Sequence, residues 1–239
     1  MTAIDGVIFD LDGVLVDSEI WWDEVRASFA ESHGRSWTAA DQAAVMGANS
    51  AAWARTMRER LNLDMPDQEI ERAIVDGVVE RYRTEGAPLI DDAVDAVRWI
   101  AAERPVALAS SAHREVIAAA LDATGLASTF EVVVSSDEVA HGKPAPDVYL
   151  EAARRLSIDP AACLVVEDSY NGVRAARAAG MTVVLVPNRS VPPAPGTAEV
   201  ADVVLERLAD LDLAAVERRV ARPDAAGAVA STTPPRGRG

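Results

Sequence analysis

Val7-Ile8-Phe9-Asp10-Leu11-Asp12-Gly13-Val14-Leu15 is the stretch that decides the fold. Its first three residues are β-branched or aromatic and too few for a helical period, which predicts a buried strand of a parallel sheet. Asp10 then stands at the C-terminal end of that strand, the edge of an open α/β sheet where departing loops leave a crevice for ligands. Asp10 and Asp12, two residues apart, share one side of an extended chain, and Gly13 lets the backbone turn sharply after them. Carboxylates this close repel unless a cation lies between them. A divalent ion that favours oxygen, such as Mg²⁺, meets that need most economically.

After Asp17 the pattern becomes helical and stays so to Pro88. Apolar stripes at helical spacing run through Ile20, Trp21, Trp22, Val25 and Phe29, then from Ala52 through Trp53 and Met57 to Leu63, then from Ile70 to Tyr82. Strands and helices alternate from Pro88 onward. Further strands are expected at Val106–Ala109, Val132–Val134, Leu164–Val166, Thr182–Val186 and Val203–Val204, each followed by a helical pattern or a loop leading to one, except Thr182–Val186, which a proline-rich loop from Pro187 to Gly196 connects to the last strand. The alternation implies an α/β fold, a doubly wound parallel sheet with an inserted helical cap. Residues 1–16 and 89–215 would form the core domain and 17–88 the cap, and residues 222–239 lack a core-forming pattern and are expected to be disordered. In this topology Asp10, Asp12, Ser110, Ser111, the loop bearing Lys143, Glu167 and Asp168 all fall at C-terminal strand ends, on one edge of one sheet.

Composition narrows the partners. The chain has 239 residues and a net charge of −15, which argues against nucleic acid or an anionic membrane surface as a partner. No apolar run reaches the roughly 20 residues of a membrane helix. Cys163 is the one cysteine and no secretory leader is evident, so a cytoplasmic setting is expected. Among 23 basic residues Lys143 is the only lysine. A chain that uses arginine elsewhere and keeps one ammonium here points to a place where a compact charge is wanted and a guanidinium fork does not fit. Four carboxylates, a hydroxyl pair and one ammonium suit phosphoryl transfer, in which catalysis is largely positioning and stabilisation of negative charge.

The ordered set Asp10-Leu11-Asp12-Gly13, Ser110, Lys143-Pro144 and Glu167-Asp168-Ser169 resembles the four motifs of the haloacid dehalogenase-like hydrolase superfamily, and the helical insert resembles the cap of its small-metabolite phosphatases and β-phosphoglucomutases. The resemblance implies that Asp10 is the nucleophile that forms an aspartyl-phosphate and Asp12 the general acid and base. It implies a Mg²⁺ ion held by Asp10, the Asp12 backbone carbonyl and Asp168, with Glu167 a direct or water-mediated neighbour. Ser110 would donate to the phosphoryl group, with Ser111 beside it, and Lys143 would neutralise both that group and Asp10. His113 follows the same loop, where contact with substrate and placement on the surface are both open.

Departures from the family pattern narrow the reaction. A dehalogenase would not be expected to carry Asp12, and a phosphonatase of the known kind needs a cap lysine, whereas Lys143 lies in the core. β-Phosphoglucomutases carry a histidine soon after the first motif and an arginine in a Gly-x-Ser-Arg cap segment. Here those regions read Asp17-Ser18-Glu19-Ile20-Trp21-Trp22 and Gly47-Ala48-Asn49-Ser50-Ala51-Ala52, so hydrolysis of a small phosphorylated metabolite is favoured over mutase chemistry. A signalling receiver domain is disfavoured by the paired aspartates and the insert, and a silent binding protein by the retained nucleophile. Trp21, Trp22, Trp37 and Trp53 are expected to pack the cap rather than stack on a substrate. His33 and His141 are expected on the surface, and Cys163 in an inert, buried setting.

Overall fold

A computed structural model describes residues 3–45 and 50–221; Gly47-Ala48-Asn49 of the cap segment and the tail from residue 222 lie outside the described residues. Six parallel strands form one sheet in the order β3-β2-β1-β4-β5-β6: β1 (Gly6–Phe9), β2 (Val106–Ser110), β3 (Val132–Ser135), β4 (Cys163–Glu167), β5 (Thr182–Leu185) and β6 (Val203–Val204). The chain lays down β1, β2 and β3 outward on one side, then crosses back to place β4, β5 and β6 on the other. β1 is therefore the strand at which the winding reverses, the place where a parallel sheet opens a crevice beyond its C-terminal edge.

Side-chain alternation along the strands makes two apolar faces. Val7, Phe9, Leu108, Leu164 and Val166 join Val97, Ile100, Ile117 and Val216, which come from α5 (Ala93–Ala101), α6 (Arg114–Thr124) and α10 (Leu213–Val220). Ile8, Ala107, Ala109, Val165 and Val183 face the other way, against Val148, Tyr149, Ala152 and Val173 of α7 (Asp147–Leu156) and α8 (Tyr170–Ala178). A further one-turn helix, α9 (Thr197–Val200), precedes β6. Both faces are covered, which accounts for the continuous apolar runs of the central strands.

Between β1 and β2 come α1 (Glu19–Ser32), α2 (Ala39–Val45), α3 (Ser50–Leu61) and α4 (Asp67–Glu85), followed by α5. Ala30, Val45, Trp53, Met57, Leu61, Ile70 and Ile74 form a small core of their own. The C-terminal half of α4, with Val75, Val78 and Tyr82, instead joins the core on one face of the sheet together with Trp21. Sequence reading had three helices where the described residues form four. The one it lacked, α2, buries only Val45 and so shows no apolar stripe, but Thr38 and Asp41 cap it reciprocally through Thr38 N to Asp41 Oδ2 at 2.9 Å and Asp41 N to Thr38 Oγ1 at 3.3 Å.

The α1 stripe also needs correction. Ile20, assigned to its buried side, is 63% exposed, whereas Arg26, further along the same helix, is buried. The Arg26 guanidinium lies 5.4 Å from the Trp22 ring and 5.3 Å from the Trp53 ring, and Nη1 donates to Gln42 Oε1 at 3.1 Å. Two indole faces make this interior tolerable to a cation. Trp21 packs edge-on to Tyr82 at 5.1 Å, Trp22 likewise to Trp53 at 6.4 Å, and Trp37 donates its N–H to Asp23, so these tryptophans serve packing. Cys163 is buried at the start of β4, and burial pushes its thiol up to about 11.

Candidate active site

Asp10 follows β1 directly, and its N–H still donates to Val166 O of β4 at 3.1 Å, so the ladder fixes where the carboxylate leaves the sheet. The chain then turns back on itself. Leu15 N and Val16 N both donate to Leu11 O, and Gly13 N donates to Val16 O, with Gly13 at φ +82°. Val16 bridges to both Asp12 and Leu89, and Asp17 N donates to Pro88 O, so the two connections to the inserted helices are paired beside Asp12.

Lys143 reaches the same point from the loop before α7. Its Nζ donates to Asp10 Oδ1 and Glu167 Oε1, both at 2.7 Å, and to Ala109 O at 3.2 Å. Three acceptors use all three protons of an ammonium, which explains why the single lysine stands here. Burial pulls its basicity down, but Asp10 and Glu167 push it above the ordinary range, so Lys143 is cationic at any working pH.

The carboxylates divide by environment. Burial raises Asp10 to about 7 against the pull of Lys143, with Glu167 adding to the rise. Burial likewise raises Asp168 to about 9, with help from the charges of Glu167 and Asp10. Asp12 is raised by burial, opposed by a very short hydrogen bond from the Ser18 hydroxyl. Glu167 goes the other way: burial would raise it, but the Lys143 charge and hydrogen bond hold it below the usual carboxylate range.

Ligand oxygens of Asp10, Glu167 and Asp168 lie within 4.8 Å of one another. One ammonium cannot balance these three and Asp12, and all the ligand atoms are hard oxygens, so the residues present fit a divalent cation. Of the three, Glu167 already accepts five protein hydrogen bonds, which fill the roughly four lone-pair sites of a carboxylate. Asp10 and Asp168 are the members with acceptors to spare.

Ser110 ends β2, fully buried, and its Oγ accepts from Ala112 N at 3.0 Å, which leaves the hydroxyl proton free to donate. Ser111 follows on the exposed side of the same turn. His113 is mostly enclosed at a seam between elements. Its Nδ1 lies 3.2 Å from Asp137 Oδ2 and its Nε2 3.2 Å from Glu71 Oε1 of α4, so the ring sits between the sheet domain and the inserted helices. Arg72 of α4 pairs with Glu115 of α6 at 3.1 Å across the same seam. His33 and His141 are exposed.

Several members of the site escaped sequence reasoning. Ser18 caps Asp12, and Glu19, in the first turn of α1, is raised by burial and then by the nearby Asp12 charge. Tyr149 donates to Glu167 at 2.7 Å. A Cβ on Gly172 would come 1.6 Å from Glu167 Oε1, so only glycine leaves room for that carboxylate. The one visible signal was the position of Gly172 in the first turn after Glu167-Asp168-Ser169.

Residues 4–180 match the haloacid dehalogenase-like hydrolase family. The chain is 33% identical over 219 residues to a bifunctional riboflavin kinase/FMN phosphatase of Arabidopsis thaliana, a match covering 87% of this chain and 54% of that longer protein. It is 31% identical over 179 residues to the fructose-1-phosphate phosphatase YqaB of Escherichia coli, covering 75% of this chain and 94% of that one. The crystal structure of CbbY from Rhodobacter sphaeroides in complex with phosphate superposes with a TM-score of 0.76 at 25% identity, over 90% of this chain and 99% of that one. A strand ending in Asp10 at the point where the winding reverses, a helical insertion directly after it and these relatives agree: the chain belongs to the haloacid dehalogenase-like hydrolases, among the phosphatases whose helical insertion follows the first strand.

Proposed function

We propose that the protein is a Mg²⁺-dependent phosphatase of a small phosphorylated metabolite, a sugar phosphate in the first instance, working through an aspartyl-phosphate on Asp10. The observation that carries this reading is the Asp10–Lys143 contact of 2.7 Å at the mouth of β1, with Asp168 beside it. A bound Mg²⁺, held by Asp10 and Asp168, supplies positive charge for the phosphoryl oxygens.

The rest is done by side chains. An Asp10 oxygen attacks phosphorus as the ester P–O bond breaks, and Asp12 gives its proton to the leaving oxygen; burial keeps Asp12 a usable acid. Asp12 then takes a proton from water as that water attacks phosphorus, and the Asp10–phosphoryl bond breaks to release phosphate. Lys143 meanwhile offsets the negative charge of Asp10 and of the phosphoryl group, and the Ser110 hydroxyl donates to a phosphoryl oxygen. Residues 17–88 act as a cap over the core. The likeness to YqaB, a fructose-1-phosphate phosphatase, supports a sugar phosphate.

The test is phosphate release from a panel of phosphorylated metabolites with Mg²⁺, comparing wild type with Asp10→Asn and including β-glucose 1-phosphate with its bisphosphate activator. Release that requires both the metal and Asp10 is expected. Conversion of β-glucose 1-phosphate to the 6-phosphate with little release would replace this reading with a mutase, and no turnover of any ester would replace it with a binding protein.

A further inference from the structure

Tyr149 has no part in the chemistry above, yet it touches two of its members. It lies in the first turn of α7, fully buried, its hydroxyl donating to Glu167 Oε1 at 2.7 Å and its ring centre 4.8 Å from Lys143 Nζ. Glu167 in turn is gripped from the other side: Oε2 accepts from Asp168 N at 3.0 Å and from Ser169 N and Oγ, each at 2.9 Å. Gly172 closes the remaining space, so the carboxylate has one available position.

Packing alone would be served by phenylalanine, which fills the same volume and brings no polar group into an apolar layer. The phenol therefore calls for a polar reason, and the geometry offers one. Lys143 Nζ must stay on Asp10 Oδ1 while also bonded to Glu167 Oε1, and a flexible four-carbon stem does not hold such a place unaided. We propose that Tyr149 is a positioning residue for Lys143: its hydroxyl shares Oε1 with the ammonium and fixes that oxygen, and the face of its ring supports the cation. Tyr149 touches neither substrate nor reacting atoms and acts through Lys143 and Glu167.

This inference rests on the phosphatase reading only for its kinetic test. Lys143 is the sole lysine of the chain, so its reactivity can be read directly. The experiment measures, in the full chain, the rate of reductive methylation of Lys143 by mass spectrometry, the melting temperature, and kcat and KM for p-nitrophenyl phosphate with Mg²⁺. Two variants are compared with wild type: Tyr149→Phe keeps the ring and loses the hydroxyl, and Tyr149→Met loses both.

For Tyr149→Phe, kcat is expected to fall about 10- to 100-fold, the range seen when outer partners of a site are removed, with KM within about twofold. Methylation of Lys143 should be faster than in wild type, and Tyr149→Met should exceed Tyr149→Phe in both effects. Methylation and kcat both within about twofold of wild type would overturn the proposal, as would a lowered melting temperature accompanied by neither effect. A wild type inactive on every ester would count against the phosphatase reading, and the methylation rates would still decide the role of Tyr149.

Discussion

The Cβ that Gly13 lacks would lie 1.9 Å from Asp168 Oδ2. The turn that carries Asp12 and the loop that carries Asp168 are thus in van der Waals contact across the mouth of the sheet, with no atom to spare between them. Gly13 also holds φ at +82°, where an L side chain is strained by about 1–2 kcal/mol. Gly13→Ala is expected to lower the melting temperature by about 2–8 °C and to weaken Mg²⁺ binding by displacing Asp168. Calorimetric titration with Mg²⁺ checks the second effect, and unchanged affinity would mean that Asp168 is not a ligand.

Lys143→Arg keeps the charge and loses the shape. The ammonium serves three acceptors at one point, Asp10, Glu167 and Ala109, whereas a guanidinium spreads its donors over a plane. Phosphate release should fall about 10²- to 10³-fold, as for loss of one preorganised donor. Activity within tenfold of wild type would show that charge alone is required.

Stability should depend on pH in a direction opposite to that of most carboxylates. An acid whose pKa is raised on folding binds its proton more tightly in the folded chain, so its contribution is complete below the unfolded value, 3.8, and is lost as pH climbs through the folded one. For Asp10 that loss runs up to about 7 and for Asp168 up to about 9. The melting temperature of metal-free protein is expected to fall from about pH 5 to about pH 9. Stabilisation by added Mg²⁺ should grow over the same range, since the ion binds the ionised forms. Melting curves at stepped pH, with and without Mg²⁺, check both trends; a metal-free curve that rises with pH would contradict them.

Arg26 offers a test in the inserted helices. Burial lowers it to about 10, so at neutral pH it remains a cation in an interior where its Nε has no hydrogen-bond partner. Arg26→Met preserves the volume between Trp22 and Trp53 without the charge and is expected to leave the melting temperature unchanged or raised, as when buried charges give way to apolar residues of like size. Arg26→Ala should cost about 2–5 kcal/mol through the cavity left behind. Thermal denaturation of the two variants separates packing from charge, and equal losses in both would assign the stability to the guanidinium.

Legibility in the sequence followed the range of the interaction concerned. The strands were readable because β1, β2 and β4 are buried on both faces and so appear as unbroken apolar runs. Asp10, Asp12, Lys143, Glu167 and Asp168 were readable because each sits at a strand end or in a motif of adjacent residues. Tyr149 was not, since its partner Glu167 is 18 residues away on another element and a tyrosine near the start of an amphipathic helix looks like core. Ile20 is exposed and Arg26 buried because α1 packs against other helices, whose aromatic faces accept a cation that a plain apolar stripe would exclude.

The sheet ends at β3 on one side and at β6 on the other. A bare edge strand is a template on which another chain can add, and both ends blunt it. β6 is two residues long, too short for a lasting ladder. At β3 the carbonyl of Val133 already accepts from Arg155 Nη1 at 3.3 Å, and Arg155 is held in place by Glu138 and Glu151. Among the described residues, strand addition therefore finds no long open edge on this sheet.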